Sequence, residues 1–364
     1  MSACKKLVLA ATAMMLLAGP ALAEDKVVNV YTWSDYIDPT VLTDFTRETG
    51  IKVVYDTMDS DEILETKLFA GRSGYDVVDP SIDFMSRQIK AGIYQKLDKT
   101  KLPNIKGMWP EITAKMATYD PGNQYGVNYM WSTTGIGYNV DKAKEVAGDM
   151  PMNSWDVVFK PENLAKFKDC GVYFLDSPAD IMSAALHYLG KKPDSSDKSD
   201  LEAAGKLLES LRPYVKKFHS SEYINALANG DICLAVGWSG DIFQAKSRAE
   251  DAKNGVKIEY AVPREGTKLS MDAMGIPADA QHVDDAHAFI NYMMRPDVAA
   301  RNVSATGYAS GVLAARDLVD KKISGNPQIY LDDATLARTY TIQPYDSMIR
   351  QLVTRIWTRV KTGE

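Results

Sequence analysis

The sequence predicts an α/β protein of two lobes, each built on a mainly parallel sheet with helices on both faces. Three observations carry this. Near the amino end, short β-branched and aromatic runs alternate with helical stretches of ten or so residues. The same alternation restarts after residue 170. No long Pro/Gly/Ser stretch separates the two series, and segments 129–138 and 258–263 are extended in character. They read as two crossings of a hinge, with a cleft between lobes that close on each other. On this reading 24–131 and 262–316 form the first lobe, and 132–261 and 317–364 the second.

Taken in order, Val27–Trp33 is apolar, branched and aromatic with no helical period, and so a strand. Asp38-Pro39 opens a helix whose Val41, Leu42 and Phe45 share one face, and Gly50 stops it. Segment 51–55 is the next strand. Ser60 caps a helix carrying Ile63, Leu64, Lys67 and Leu68. A third strand, 75–79, ends at Pro80. In the second series 171–175 is a strand and 179–189 a helix. Segment 201–219 is an amphipathic helix that Pro213 should break or kink. A helix over 222–229 ends at Gly230, and 232–237 is a strand.

Length and composition bound the function. The chain has 364 residues, 45% of them hydrophobic and 25% charged, which excludes disordered, collagen-like and disulfide-dense classes. Its 42 Lys+Arg against 48 Asp+Glu leave no positive field to draw in nucleic acid. Residues 1–23 read as a secretory signal peptide: Lys5-Lys6, an uncharged apolar run over 7–19, then Ala21-Leu22-Ala23 as cleavage site. That run is shorter than the roughly 20 residues of a membrane span. Cleavage after Ala23 would leave 341 residues with 40 basic and 48 acidic side chains, a formal charge of −8. The expected location is a bacterial periplasm. There the two remaining cysteines, Cys170 and Cys233, are most simply a disulfide, the alternative being two buried free thiols.

Ligands of open α/β sheets gather where strands end. The strand exits here read Trp33-Ser34-Asp35-Tyr36, Asp79-Pro80-Ser81-Ile82-Asp83, Asp176-Ser177-Pro178-Ala179-Asp180 and Trp238-Ser239-Gly240-Asp241. Later segments add Ser270-Met271-Asp272 and Gly307-Tyr308-Ala309. Asp or Ser before a helix is commonly a cap, but capping does not call for aromatic neighbours. An anion site would carry Gly, Ser, Thr and Arg. Aromatics beside carboxylates, with no Arg or Lys among them, point to a small cation whose apolar stem is covered by rings.

Several segments resemble the periplasmic polyamine-binding proteins of ABC importers, the putrescine-binding branch above all. They are Trp33-Ser34-Asp35-Tyr36, Gly50-Ile51-Lys52-Val53-Val54-Tyr55-Asp56, Trp131-Ser132-Thr133-Thr134-Gly135-Ile136-Gly137-Tyr138-Asn139, Lys160-Pro161-Glu162-Asn163-Leu164, Gly237-Trp238-Ser239-Gly240-Asp241 and Trp357-Thr358-Arg359-Val360-Lys361. The resemblance covers essentially the whole mature chain. It implies a type II periplasmic-binding-protein fold and a bridge between Cys170 and Cys233. Carried over by matching motif, Trp33, Tyr36, Trp238 and Tyr308 form an aromatic box. Asp35, Asp180, Asp241 and Asp272 meet the amines, with Ser34 and Ser81 as polar contacts. Asp180 stands where the family commonly has Glu, Ser270 where it has an aromatic wall, and Asp83 where a small polar or aromatic residue is common. Asp79 is a further unexpected acid. These departures would suit a longer polyamine, or a guanidinium that uses paired carboxylates. The resemblance also implies transient contact with the membrane subunits of an importer.

An enzyme is the competing class. No G-x-S-x-G elbow or Walker loop is present, and Gly135-Ile136-Gly137 is a lone G-x-G. His282 and His287 flank Asp284 and Asp285, but an i,i+5 spacing does not align them on one helix face, so they read as solvated surface. The expectation is a monomeric binder without cofactor, metal or catalytic residues. A binder of another small cation such as agmatine, in transport or sensing, is the alternative.

Overall fold

Strand β1, Val27–Trp33, shows how the first lobe is layered. Successive side chains of a strand point to opposite faces. Val28 and Val30 enter an apolar cluster with Phe45 and Phe289, while Tyr31 enters another with Leu64 and Val78. Helices Pro39–Thr49, Val283–Met293 and Pro296–Thr306 cover the first face, and Asp61–Ala70 and Ile82–Lys90 the second. These relations come from a computed structural model that describes residues 26–363; the expected leader and its cleavage site lie outside them.

β1 is flanked by two parallel strands, β2 (Lys52–Met58) and β3 (Val77–Val78). β3 starts later than expected: the Asp76 carboxylate takes the Asn29 amide N–H that a longer ladder would use, while Asp76 N still donates to Asn29 O. The helix signals behave as read. Asp38 accepts from Thr40 N, Pro39 holds the first position, and Gly50 (φ 73°) closes the helix. Ser60 accepts from Ile63 N. Ile63 itself is 49% exposed, so it lies off the buried face its helix shares through Leu64 and Leu68.

Strand β4, Gly126–Asn139, belongs to both lobes. In the first lobe, residues from Gly126 to Thr133 pair with β9 (Thr267–Gly275), and Met130 and Trp131 with β10 (Ala309–Ser310). In the second, residues from Thr134 to Asn139 pair with β7 (Leu234–Trp238) and β8 (Ile258–Ala261). β5 (Val172–Phe174) and β6 (Lys217–Phe218) continue the second lobe in parallel beyond β7. The resulting order is β2-β1-β3-β9-β4-β7-β5-β6. The expectation of a mainly parallel sheet holds for the outer strands and fails at the centre, where β3–β9, β9–β4 and β4–β7 are antiparallel. The two central strands are the crossings themselves and run in opposite directions.

The second crossing falls later than 258–263. That segment is β8 and a turn, and β9 makes the passage. The chain then passes a third time. Ile329 and Tyr330 pack with Trp131 and Met271 in the first lobe, whereas Ile349, Ile356 and Trp357 pack in the second. The change of packing therefore comes after residue 330 rather than at 317. On the way, β11 (Thr339–Tyr340) pairs with the start of β9.

Two further readings are corrected in part. The helix expected over 201–219 is Lys198–Leu211, after which a turn containing Pro213 leads into β6. His287 is buried rather than solvated: its Nε2 accepts from Asp98 N, and its Nδ1 bonds to Val283 O. Cys170 and Cys233 form a disulfide with a Cα–Cα distance of 5.6 Å.

Candidate functional site

A cleft of about 740 Å³, part of it open to solvent, lies between the lobes. Its polar lining comes from strand exits and first helical turns, and from within β4 and β9. Asp83, Asp180 and Asp241 each stand in the first turn of a helix, Ile82–Lys90, Pro178–Tyr188 and Ser239–Ala252 respectively. Asp272 comes from β9. The structure brings these together with Trp33, Ser34, Tyr36, Ser81, Trp238, Ser270 and Tyr308.

Asp35 is the expected site residue that does not line the cleft. Its φ of 57° is left-handed, a conformation Asp tolerates better than most residues. That turn lets Trp33 and Tyr36 both line the cleft, while Asp35 is exposed and pairs with Arg248 at 3.0 Å.

One ring pair packs across the gap: Trp33 of the first lobe and Trp238 of the second meet edge to face at 5.6 Å. Within the first lobe Tyr36 meets Tyr308 at 4.8 Å. Such contacts suit aromatic quadrupoles. Gly240 allows the Tyr308 ring to approach, because a Cβ there would collide with it.

Asp241 and Asp272 are held by phenols. Tyr223 and Tyr308 donate to Asp241 at 2.6 and 2.7 Å. Tyr36 donates to Asp272 at 2.5 Å, and Ser81 forms a backbone bridge to Asp272. Burial pushes the Asp241 carboxyl up, the two phenols pull it back, and it rests at about 7. Burial likewise raises Asp272 and, beneath it, Asp79, which repel each other; Asp79 accepts from Thr32 Oγ1. Two charges forced together in a dry site raise both carboxyls, and a bound cation would relieve that.

Asp180 accepts from Thr134 Oγ1 at 2.6 Å and from Ser177 Oγ at 2.7 Å. Ser34 donates to Asp59. The Ser270 hydroxyl is buried without a partner. So is Trp33 Nε1, a donor that an ammonium cannot satisfy.

Sequence reasoning missed several lining residues. Asp61 is buried, accepts from Ser81 N, and is raised well above the usual carboxylate range by burial and then by Asp83. Phe84 and Lys268 also line the cleft. Tyr223 reaches Asp241 from the helix Glu222–Ala228. Lys268 was legible in principle: 268, 270 and 272 share one face of β9. Tyr223 carries no comparable local signal.

The model of the bacterial extracellular solute-binding protein family matches residues 40–330. The putrescine-binding periplasmic protein SpuD of Pseudomonas aeruginosa is 51% identical, over 99% of this chain and 98% of that one. The putrescine-binding periplasmic protein PotF of Escherichia coli is 48% identical, over 96% and 95%. Among solved structures, the spermidine/putrescine ABC transporter substrate-binding protein PotD of Streptococcus pneumoniae superimposes with a TM-score of 0.75 at 29% identity, covering 93% of this chain and 99% of that one.

Proposed function

The chain belongs to the bacterial extracellular solute-binding protein family, and on that premise we propose that it captures a short polyamine, putrescine foremost, in the periplasm and hands it to an ABC import permease. The observation that carries this reading is the pairing of Trp33 and Trp238 from opposite lobes in a cleft whose walls hold Asp241 and Asp272. An alkyl diamine has two charges joined by methylenes. Four methylenes buried against rings contribute about 3 kcal/mol at roughly 0.8 each. An ammonium about 4 Å from a carboxylate gains about 4 kcal/mol at an effective dielectric near 20, before desolvation. Charge thus sets orientation and length, and the rings add affinity. A monoamine would leave one carboxylate unpaired, which is costly in a closed site.

The identities to SpuD and PotF support the ligand class and the compartment, and the signal-peptide pattern over 1–23 agrees with export. The chain acts as a reversible binder rather than a catalyst and works as a monomer with the permease as a transient partner. Titration calorimetry with putrescine, cadaverine, agmatine, spermidine and spermine tests the reading. One clear binder is expected, and heat from none of the five overturns it. Asp241→Asn and Trp238→Ala should each weaken the bound amine tenfold or more, the equivalent of about 1.4 kcal/mol; unchanged affinity in both would remove the cleft as the site.

A further inference from the structure

Lys268 is a cation inside a cleft otherwise lined by acids. It projects from β9 at the hinge, on the same face as Ser270 and Asp272. Its Nζ lies 3.4 Å from Asp180 Oδ1, with side chains 5% and 4% exposed. Among the described residues Asp180 is its one ion-pair partner. Burial opposes the charge on such an amine. Asp180 foremost, then Asp83, Asp61 and Asp272, outweigh burial and hold Lys268 above the ordinary lysine range, so it is an ammonium at any pH of interest.

Asp180 differs from Asp241 in having a cation beside it as well as a hydroxyl on each oxygen. Thr134 and Ser177 donate to its two oxygens, and Lys268 stands beside the first of them. A ligand ammonium brought to Asp180 would face the Lys268 ammonium in a low-dielectric site, where like charges repel strongly. Of the other carboxylates that line the cleft, Asp241 follows Trp238 of the tryptophan pair, and Asp61 and Asp272 meet at Ser81 near Asp83. Glu62 lines it too, as do Asp59 and Asp176, which are engaged by Ser34 and Lys361.

We propose that Lys268 is a specificity-determining residue, a built-in ammonium that fills the Asp180 position and restricts the cleft to ligands with two charged ends, excluding a third. This rests on the polyamine reading above and deepens it. Lys268 then does for a triamine what a steric plug does for a longer chain, by charge rather than volume.

The test compares putrescine with spermidine by calorimetry on the full mature protein. The wild type should prefer putrescine at least tenfold. Lys268→Met keeps the stem and removes the charge, and should narrow or reverse that preference by tenfold or more. The double variant Lys268→Met/Asp180→Asn, which leaves no unpaired charge, should lose that gain. A wild type that binds spermidine as tightly as putrescine overturns the proposal without any variant. A putrescine-to-spermidine ratio unchanged in folded Lys268→Met overturns it as well, and leaves Lys268 a structural partner of Asp180. In both cases the polyamine reading stands. Heat from neither amine with the wild type overturns this proposal, and the polyamine reading falls with it only if cadaverine, agmatine and spermine give no heat either.

Discussion

Asp35 and Tyr36 are adjacent, yet the left-handed backbone at Asp35 sends one to the rim and the other into the cleft. Asp35 meets Arg248, and exposed pairs of this kind contribute about 0–1 kcal/mol. Asp35→Asn should therefore weaken ligand binding less than about fivefold, against tenfold or more for Asp241→Asn. Calorimetry on both variants separates the two roles, and equal losses would return Asp35 to the binding wall. Gly240 is the opposite kind of residue, silent in chemistry and decisive in space. A methyl there meets the Tyr308 ring, which must then move and give up its bond to Asp241. Gly240→Ala should cost tenfold or more in affinity with the circular dichroism spectrum unchanged; wild-type affinity would mean that the tyrosine can relocate without loss.

At the scale of elements, the second lobe separates its brace from its site. The bridge joins the segments entering β5 and β7, while Asp180 and Asp241 follow the exits of the same strands. Closing a loop whose ends are 63 residues apart stabilises by on the order of 4 kcal/mol in the chain-entropy model. Cys170→Ser/Cys233→Ser should lower Tm by several degrees while amine affinity stays within about threefold of the wild type. A tenfold loss of affinity at a temperature where the variant is folded would show that strain reaches the far end of the strands. β9 teaches a different lesson. Once Ser270 and Asp272 are assigned to the cleft, the period of two places Lys268 there as well. A search confined to strand exits passes over it because it lies at the strand's beginning.

For the molecule as a whole, the cleft stores a tension that a cation releases. Asp241 has a folded pKa of about 7, above the ordinary carboxylate value of about 3.9. A carboxyl raised on folding contributes stability that is complete below its unfolded value and is lost as pH rises through its folded value. The ligand-free protein should therefore lose this contribution between about pH 4 and pH 7. Asp241→Asn should melt a few degrees higher than the wild type at pH 8, and the difference should shrink toward pH 4. Binding has the opposite slope, because a bound ammonium needs the ionised form. Affinity should fall by up to about tenfold per pH unit below 7, with proton release visible as a buffer-dependent heat. Flat affinity between pH 5.5 and 7.5 would exclude Asp241 as the ligand's partner. Closure joins these effects: Trp33 to Trp238, Tyr308 to Asp241 and Asp35 to Arg248 each bridge the lobes.

The sequence by itself determined the local elements and the class of the site. Caps and stops at Asp38, Gly50, Ser60 and Pro213 are properties of a few neighbouring residues, so they are readable in place. The aromatic and acidic strand exits are readable for the same reason, since a parallel strand delivers its next residues to one edge of the sheet. Only the tertiary structure decided what lies between distant segments. It turned the centre of the sheet antiparallel, because the two crossing strands run in opposite directions. It brought Tyr223 and Tyr308 to Asp241, sent Asp35 to Arg248, and seated Lys268 against Asp180. A buried charge takes its meaning from its partner, and these partners came from other strands and helices.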